Sequence, residues 1–432
     1  MVMGLFAIVA FNLADTYFVA QLGTSELAAM SFTFPVVMFV QSVALGLGIG
    51  TASVISRAIG KGDHRTVQRL TTHCLLLALS LVFVLVAAGL LTIKPVFTLL
   101  GATPDILPLI RQYMTVWYVG MVFVTVPMVG NNAIRAAGDT LYPGLIMMAA
   151  AGINVILDPL LIFGLAGFPR LELAGAALAT VIGRAITLVL SLSILHFREQ
   201  MLEFSLPRLR TLWDSWKRIL YIGIPAAATT IMIPLSMAVI VRMVAQFGTA
   251  AVAAVGAGTR VEAFAMLVVR AFGAALIPFI GQNWGAQRYE RVHQAQKLGN
   301  RFSFCWGVLC VVVFLIAAAP AARLFSKEQD VMDGIISFLW IVPLGYGLQG
   351  ICLLTSASFN AMNKPLNAAA LGLIRVFALY IPLAYFSAQL FGLKGLFGGI
   401  ASANIIAGII ALLWVRHARE TEETLRSAEA NG

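Results

Sequence analysis

The chain has 432 residues, 60% of them hydrophobic and 11% charged, with a formal net charge of +10. A soluble domain carries about 25% charged residues, so this composition excludes a string of water-soluble domains and makes lipid the natural solvent. The Lys and Arg stand between apolar runs, which is the loop bias of a membrane protein and not the surface of a nucleic-acid binder.

The apolar runs fall at 1–21, 27–59, 67–93, 106–134, 142–165, 173–196, 219–247, 252–280, 292–318, 331–359, 366–390 and 396–415. Each reaches or exceeds the roughly 20 residues that cross a bilayer. The expectation is an all-α polytopic membrane protein of twelve helices, with the longer ones tilted or projecting beyond the hydrocarbon. The first run carries an acid and has no basic n-region, so no cleavable signal is expected.

Charge sets the expected topology. The turn Gly23 to Glu26 has no Lys or Arg, whereas the next connection has Arg57, Lys61, Arg65 and Arg69. The connections near Leu206 and Gly285 and the C-terminal tail are basic as well, and the alternate ones are poorer. This alternation places both termini in the cytoplasm, in a cytoplasmic (inner) membrane.

A shift of 225 residues brings the chain onto itself without a gap. Gly23 falls on Gly248, Gly48 on Gly273, Gly60 on Gly285, Pro95 on Pro320, Asp105 on Asp330 and Gly120 on Gly345. Two six-helix lobes follow, 1–206 and 207–432, as parallel repeats that leave a substrate cleft near the midplane.

Acids inside apolar runs cost about 2.5–3.5 kcal/mol at a helix centre and mark partners or wet cavities. Asp15 in the first run is either a coupling carboxylate or a cap of the outer turn. Asp158 follows Asn154 by four residues, so the two share a helix face. A carboxylate beside an amide oxygen suits a hard cation such as Na+, and the same carboxylate in a low dielectric could carry a proton. Pro159 frees a further backbone carbonyl. The competing reading is a hydrogen-bonded joint between helices. Neither acid has a counterpart at the 225-residue shift, where Ile240 and Leu383 stand, so coupling belongs to the first half. Glu262 lies among Arg242, Arg260, Arg270 and Arg375, which suits an ion pair, with substrate binding as the other reading.

Tyr17, Phe34, Met38, Tyr113, Trp117 and Met121, with Glu262, are candidates for a cavity that takes lipophilic cations. As single residues they also suit packing and lipid contact. The stripe Gly46, Gly48 and Gly50 lies inside a run and points to close helix packing rather than phosphate binding. Cys74, Cys305, Cys310 and Cys352 read as core residues with no disulfide and no metal site. The sequence has no Walker A, H-E-x-x-H or nucleophile-elbow motif, so neither an enzyme nor a resident cofactor is expected.

Several stretches taken in order resemble the multidrug and toxic compound extrusion (MATE) family. They are Asp15-Thr16-Tyr17-Phe18-Val19, Ala133 to Thr140, Asn154 to Pro159, Gly175 to Thr180 and Pro278 to Ala286. The resemblance covers nearly the whole chain. It implies a V-shaped, two-lobed bundle that exchanges cationic or amphiphilic organic compounds for H+ or Na+ within a single chain. It assigns the coupling ion to Asp15, Asn154, Asp158 and Thr180, with Na+ held by those four if Na+ is the ion. The family's other branch uses acids in the seventh and tenth helices; this sequence has none in the seventh run and only Asp330 and Asp333, which flank or start the tenth, and this favours the DinF-like branch. A flippase for a lipid-linked oligosaccharide precursor is the alternative, kept open by the four arginines.

Overall fold

The computed structural model describes residues 2–205 and 207–431. Leu206, where the expected division between halves lies, is outside them. Side chains are described as far as His417, apart from a few in the first helix and at the start of the second.

The described residues are helical and contain no strand. Helices α1 (Val2–Ala20), α2 (Thr24–Gly60) and α3 (His64–Leu99) come first. Next is α4, a bent pair of Leu107–Val119 and Met121–Ala136 at 43°. Helices α5 (Leu141–Phe163), α6 (Glu172–Arg198) and α7 (Leu209–Phe247) follow. Helices α8 (Thr249–Gly285), α9 (Tyr289–Phe325) and α10 (Gln329–Ala361) come after them. The remaining stretch breaks at Gly392, at φ 63° and ψ −147°, into α11 (365–391) and α12 (from 393). Twelve helices thus occur among the described residues, matching the twelve apolar runs, and nine stretches, ten with the bent pair, are long and apolar enough to cross a membrane.

Local chemistry sets the ends. Asp63 caps α3, its Oδ1 accepting from the Thr66 N–H at 3.0 Å. Asp139 starts α5 by accepting from the Leu141 and Tyr142 N–H groups at 2.8 and 3.1 Å. Both satisfy N–H groups that a helix start leaves unpaired. Gly164 ends α5 in the left-handed region, at φ 73°, where a side chain would be strained.

The 225-residue shift recurs in the helix ends. Thr24–Gly60 falls on Thr249–Gly285, and the bend at Gly120 falls on the 3-10 turn Val342–Gly345. α7 begins earlier than its apolar run because its first turns carry Asp214, Lys217 and Arg218 on a helix that still buries Ser215 and Ile219.

The chain forms two compact units, Met1–Ala228 and Thr229–Gly432. In the first, one core gathers Ile55, Cys74, Val129, Ile134 and Leu195, and it includes Ile219 and Ile222 from the start of α7. A second core gathers Val19, Phe97, Ile110, Met114, Trp117 and Met121. In the second unit Phe338, Phe359 and Phe397 are fully buried. The glycine stripe packs helices, as expected. A Cβ on Gly46 would sit 2.5 Å from the Gly223 carbonyl, and one on Gly50 2.6 Å from the Ile219 carbonyl. Cys74, Cys310 and Cys352 are buried, but Cys305 is exposed on α9 and is not a core residue.

Candidate functional site

Three helices of the N-terminal unit, α1, α5 and α6, meet around the acids, and α4 adds a tyrosine. Small residues permit the approach. A Cβ on Gly4 of α1 would sit 2.9 Å from the Gly144 carbonyl of α5. One on Gly183 of α6 would sit 3.3 Å from the Ala150 carbonyl, beside Asn154.

Asp15 is buried, 6% exposed, and its Oδ1 has no hydrogen-bond partner. Asp158 is fully buried and Asn154 nearly so. Asp15 and Asp158 are close enough to feel each other's charge, and the Tyr113 hydroxyl feels both. An unpartnered buried carboxylate oxygen is costly in a low-dielectric site, and a proton or a bound cation removes that cost.

Asn154 has two settings, because an amide offers donors on one side and acceptors on the other. With Nδ2 toward α6, it reaches Thr180 Oγ1 at 3.3 Å but also faces the Thr180 N–H, donor against donor, and turns its oxygen to the Asp158 carboxylate. Only the opposite setting satisfies both ends of the amide. Turned over, Nδ2 donates to Asp158 Oδ2 at 2.8 Å, and Oδ1 accepts from the Thr180 N–H at 3.0 Å. This setting suits an ionised Asp158. The hydrogen-bond network, not the ring of heavy atoms, decides between them.

Asp15, Asn154, Asp158 and Thr180 are therefore brought together, with Tyr113 beside them. The other cavity candidates are not gathered there. Trp117 and Met121 pack in the second core, 4% and 0% exposed. Tyr17 and Phe34 are exposed, at 63% and 59%, and Met38 is half-buried. Glu262 sits in the C-terminal unit, hydrogen-bonded to Gln349.

A small opening beside Asn154 and Thr180 is lined by Phe11, Met147, Gly183 and Arg184 as well. Arg184 was passed over in the sequence. Its signal was there: it follows Thr180 by four residues in an apolar run, so it continues that helix face.

The MatE family profile matches residues 1–160 and 225–386. A curated relative from Shewanella oneidensis, named FAD transporter, is 40% identical over 409 residues, covering 94% of this chain and 90% of that one. Multidrug export protein MepA of Staphylococcus aureus is 24% identical, covering 96% and 91%. The crystal structure of the Vibrio cholerae MATE transporter VcmN in the bent form superposes with a TM-score of 0.93 at 32% identity, covering 98% of this chain and 95% of that one. With that match along most of its length and the twelve-helix architecture it shares, the chain belongs to the MatE family of membrane transporters.

Proposed function

We propose that this protein is a proton-coupled antiporter that exports an aromatic, amphiphilic organic solute by alternating access. The observation that carries the reading is the pair of buried carboxylates, Asp15 and Asp158, one with an unpartnered oxygen. A proton is favoured over Na+ by Asn154. Facing an ionised Asp158, the amide presents its nitrogen to the carboxylate and its oxygen to Thr180. An Na+ ion would need that oxygen on the other side.

Protonation of Asp158 removes the ionised acceptor to which Asn154 Nδ2 donates, and so weakens a hydrogen bond at the joint between α5 and α6. The joint is thereby held differently in the two charge states. If the solute prefers one arrangement, linkage makes proton binding and solute binding oppose each other. Six helices precede residue 207 and six follow it, the first turns of α7 packing with the N-terminal unit, and a single chain is the functional unit. It lies in the cytoplasmic (inner) membrane with both termini inside.

The relatives support an organic solute. One is named for FAD and others for multidrug export, and none of those described above is named for a lipid-linked oligosaccharide. The test is efflux from proteoliposomes under imposed H+ or Na+ gradients, with FAD and a fluorescent organic cation as cargo. Gradient-driven efflux that Asp15→Asn and Asp158→Asn abolish supports the reading. Normal gradient-driven efflux in both variants overturns it.

A further inference from the structure

The C-terminal unit holds a polar cluster for which the coupling scheme has no use. Glu262 on α8 accepts from Gln349 Nε2 of α10 at 3.2 Å. Gln349 Oε1 lies 3.5 Å from Asn404 Nδ2 of α12, and Asn404 Oδ1 accepts from Arg375 Nε of α11 at 3.2 Å. Arg270, two turns along α8 from Glu262, is within electrostatic reach of both Glu262 and Arg375. Arg375 lies in a π-helical turn, Ile374–Tyr380, and such turns gather at functional sites.

The cluster is richer in positive charge than in negative. Two guanidinium groups face one carboxylate, and that carboxylate already takes a hydrogen bond from Gln349. Arg375 is held by Asn404. Arg270 is exposed and makes neither a hydrogen bond nor an ion pair among the described residues. It stands within an apolar stretch of α8, between Val269 and Ala271. A charged side chain at such a place is costly against hydrocarbon, so water or a polar ligand is its natural neighbour. Tyr346 lies in electrostatic reach of Glu262, is 1% exposed, and keeps its hydroxyl without a partner.

A guanidinium without a hydrogen bond, in electrostatic reach of a second one, suits phosphate oxygens. The planar fork of arginine meets two of them at once. A cation would be repelled there. We infer that Arg270 and Arg375 form an anion subsite that takes the phosphate groups of the exported solute, in the class of flavin and adenine nucleotides. Glu262, Gln349 and Asn404 act as positioning residues that hold Arg375, and the Tyr346 hydroxyl is the neutral donor within the same cluster. The inference rests on the exporter reading above and narrows its cargo.

The experiment is a titration of the full chain in lipid nanodiscs with FAD, riboflavin, ADP and a lipophilic cation. FAD is expected to bind at least about tenfold more tightly than riboflavin, which lacks phosphate, with ADP competing. Arg270→Gln should erase that difference and leave riboflavin binding unchanged, while Arg270→Lys keeps part of it. Arg270 has no hydrogen bond to lose, so the glutamine variant should fold, and its thermal unfolding is checked in parallel. Equal binding of FAD and riboflavin overturns the inference. So does an unchanged preference in Arg270→Gln, and so does binding of the lipophilic cation alone or of no probe at all. Failure of the coupling scheme would read differently. Asp15 and Asp158 variants would then transport normally, with the preference for phosphate intact.

Discussion

His73 Nδ1 and Ser215 Oγ meet at 2.8 Å, joining α3 to the first turns of α7, and both residues are buried. The serine hydroxyl donates to the Thr211 carbonyl at 3.0 Å. A hydroxyl has one proton to give, so the His73 Nδ1–H is the donor between the two. Trp216 Nε1 donates to the His73 carbonyl at 3.0 Å and closes the joint. Ser215→Ala would leave a buried N–H without an acceptor. The expected loss is about 1–3 kcal/mol, visible as a lower unfolding temperature of the purified protein. An unchanged temperature would mean that the joint contributes nothing.

The coupling acids should separate binding from driving force. Asp15→Asn and Asp158→Asn are each expected to retain cargo binding in nanodiscs while losing gradient-driven efflux. Measuring both on one preparation decides the matter. Loss of binding alone would place these residues in the cargo site instead.

Asn154→Leu removes the amide that links Asp158 to Thr180. It leaves Asp158 without its donor and Thr180 without its acceptor. The pH at which efflux is half-maximal should shift upward, because an ionised Asp158 loses a hydrogen bond that favours it. Asn154→Leu with an unshifted pH profile would remove Asn154 from the coupling scheme.

Gly46 should tolerate no side chain. The Gly223 carbonyl and the Ala227 N–H of α7 both lie 2.5 Å from where its Cβ would stand. Because those neighbours are backbone, Gly46→Ala must push α2 and α7 apart, at about 1–3 kcal/mol. Gly152→Ala on α5, where nothing lies within 4 Å, is the matched control and should not lower the unfolding temperature, since alanine suits a helix interior better than glycine.

Glu199, just beyond α6, gives a pH signature. Burial and the neighbouring Asp139 push its carboxyl above the ordinary 4.5, and Arg198, 3.6 Å away, opposes them. A raised folded value means the folded state binds the proton more tightly. The associated stability is present below about pH 4.5 and is lost as pH rises through the folded value. Glu199→Gln should flatten the dependence of unfolding temperature on pH in that window. A variant that follows the native curve would remove Glu199 as its source.

Much of this was legible in the chain. The spans, the 225-residue repeat and the pairing of Asn154 with Asp158 follow from apolar length and helical period. Thr180 was reachable by resemblance, but its two bonds to Asn154 depend on Gly183 letting α6 approach α5. The burial of Trp117 and Met121 in the second core is not legible, because a run apolar all round does not say which face is buried. Arg375 and Asn404 stand on different helices, with no spacing rule to join them. The π-helical turn at Ile374 is invisible to a 3.6-residue period.

The division between units falls inside α7, between Ala228 and Thr229, so one helix belongs to two bodies. Pro225 and Pro234 flank the division, and each withdraws a backbone bond from the helix there. A gene cut at 206/207 would therefore not yield two self-sufficient polypeptides. The second fragment would begin with a stretch, from Ser215 to Ala227, whose natural cover is α2 and α3 of the first. Co-expression of the two should rescue it, and expression alone should leave it to the quality-control proteases of the membrane.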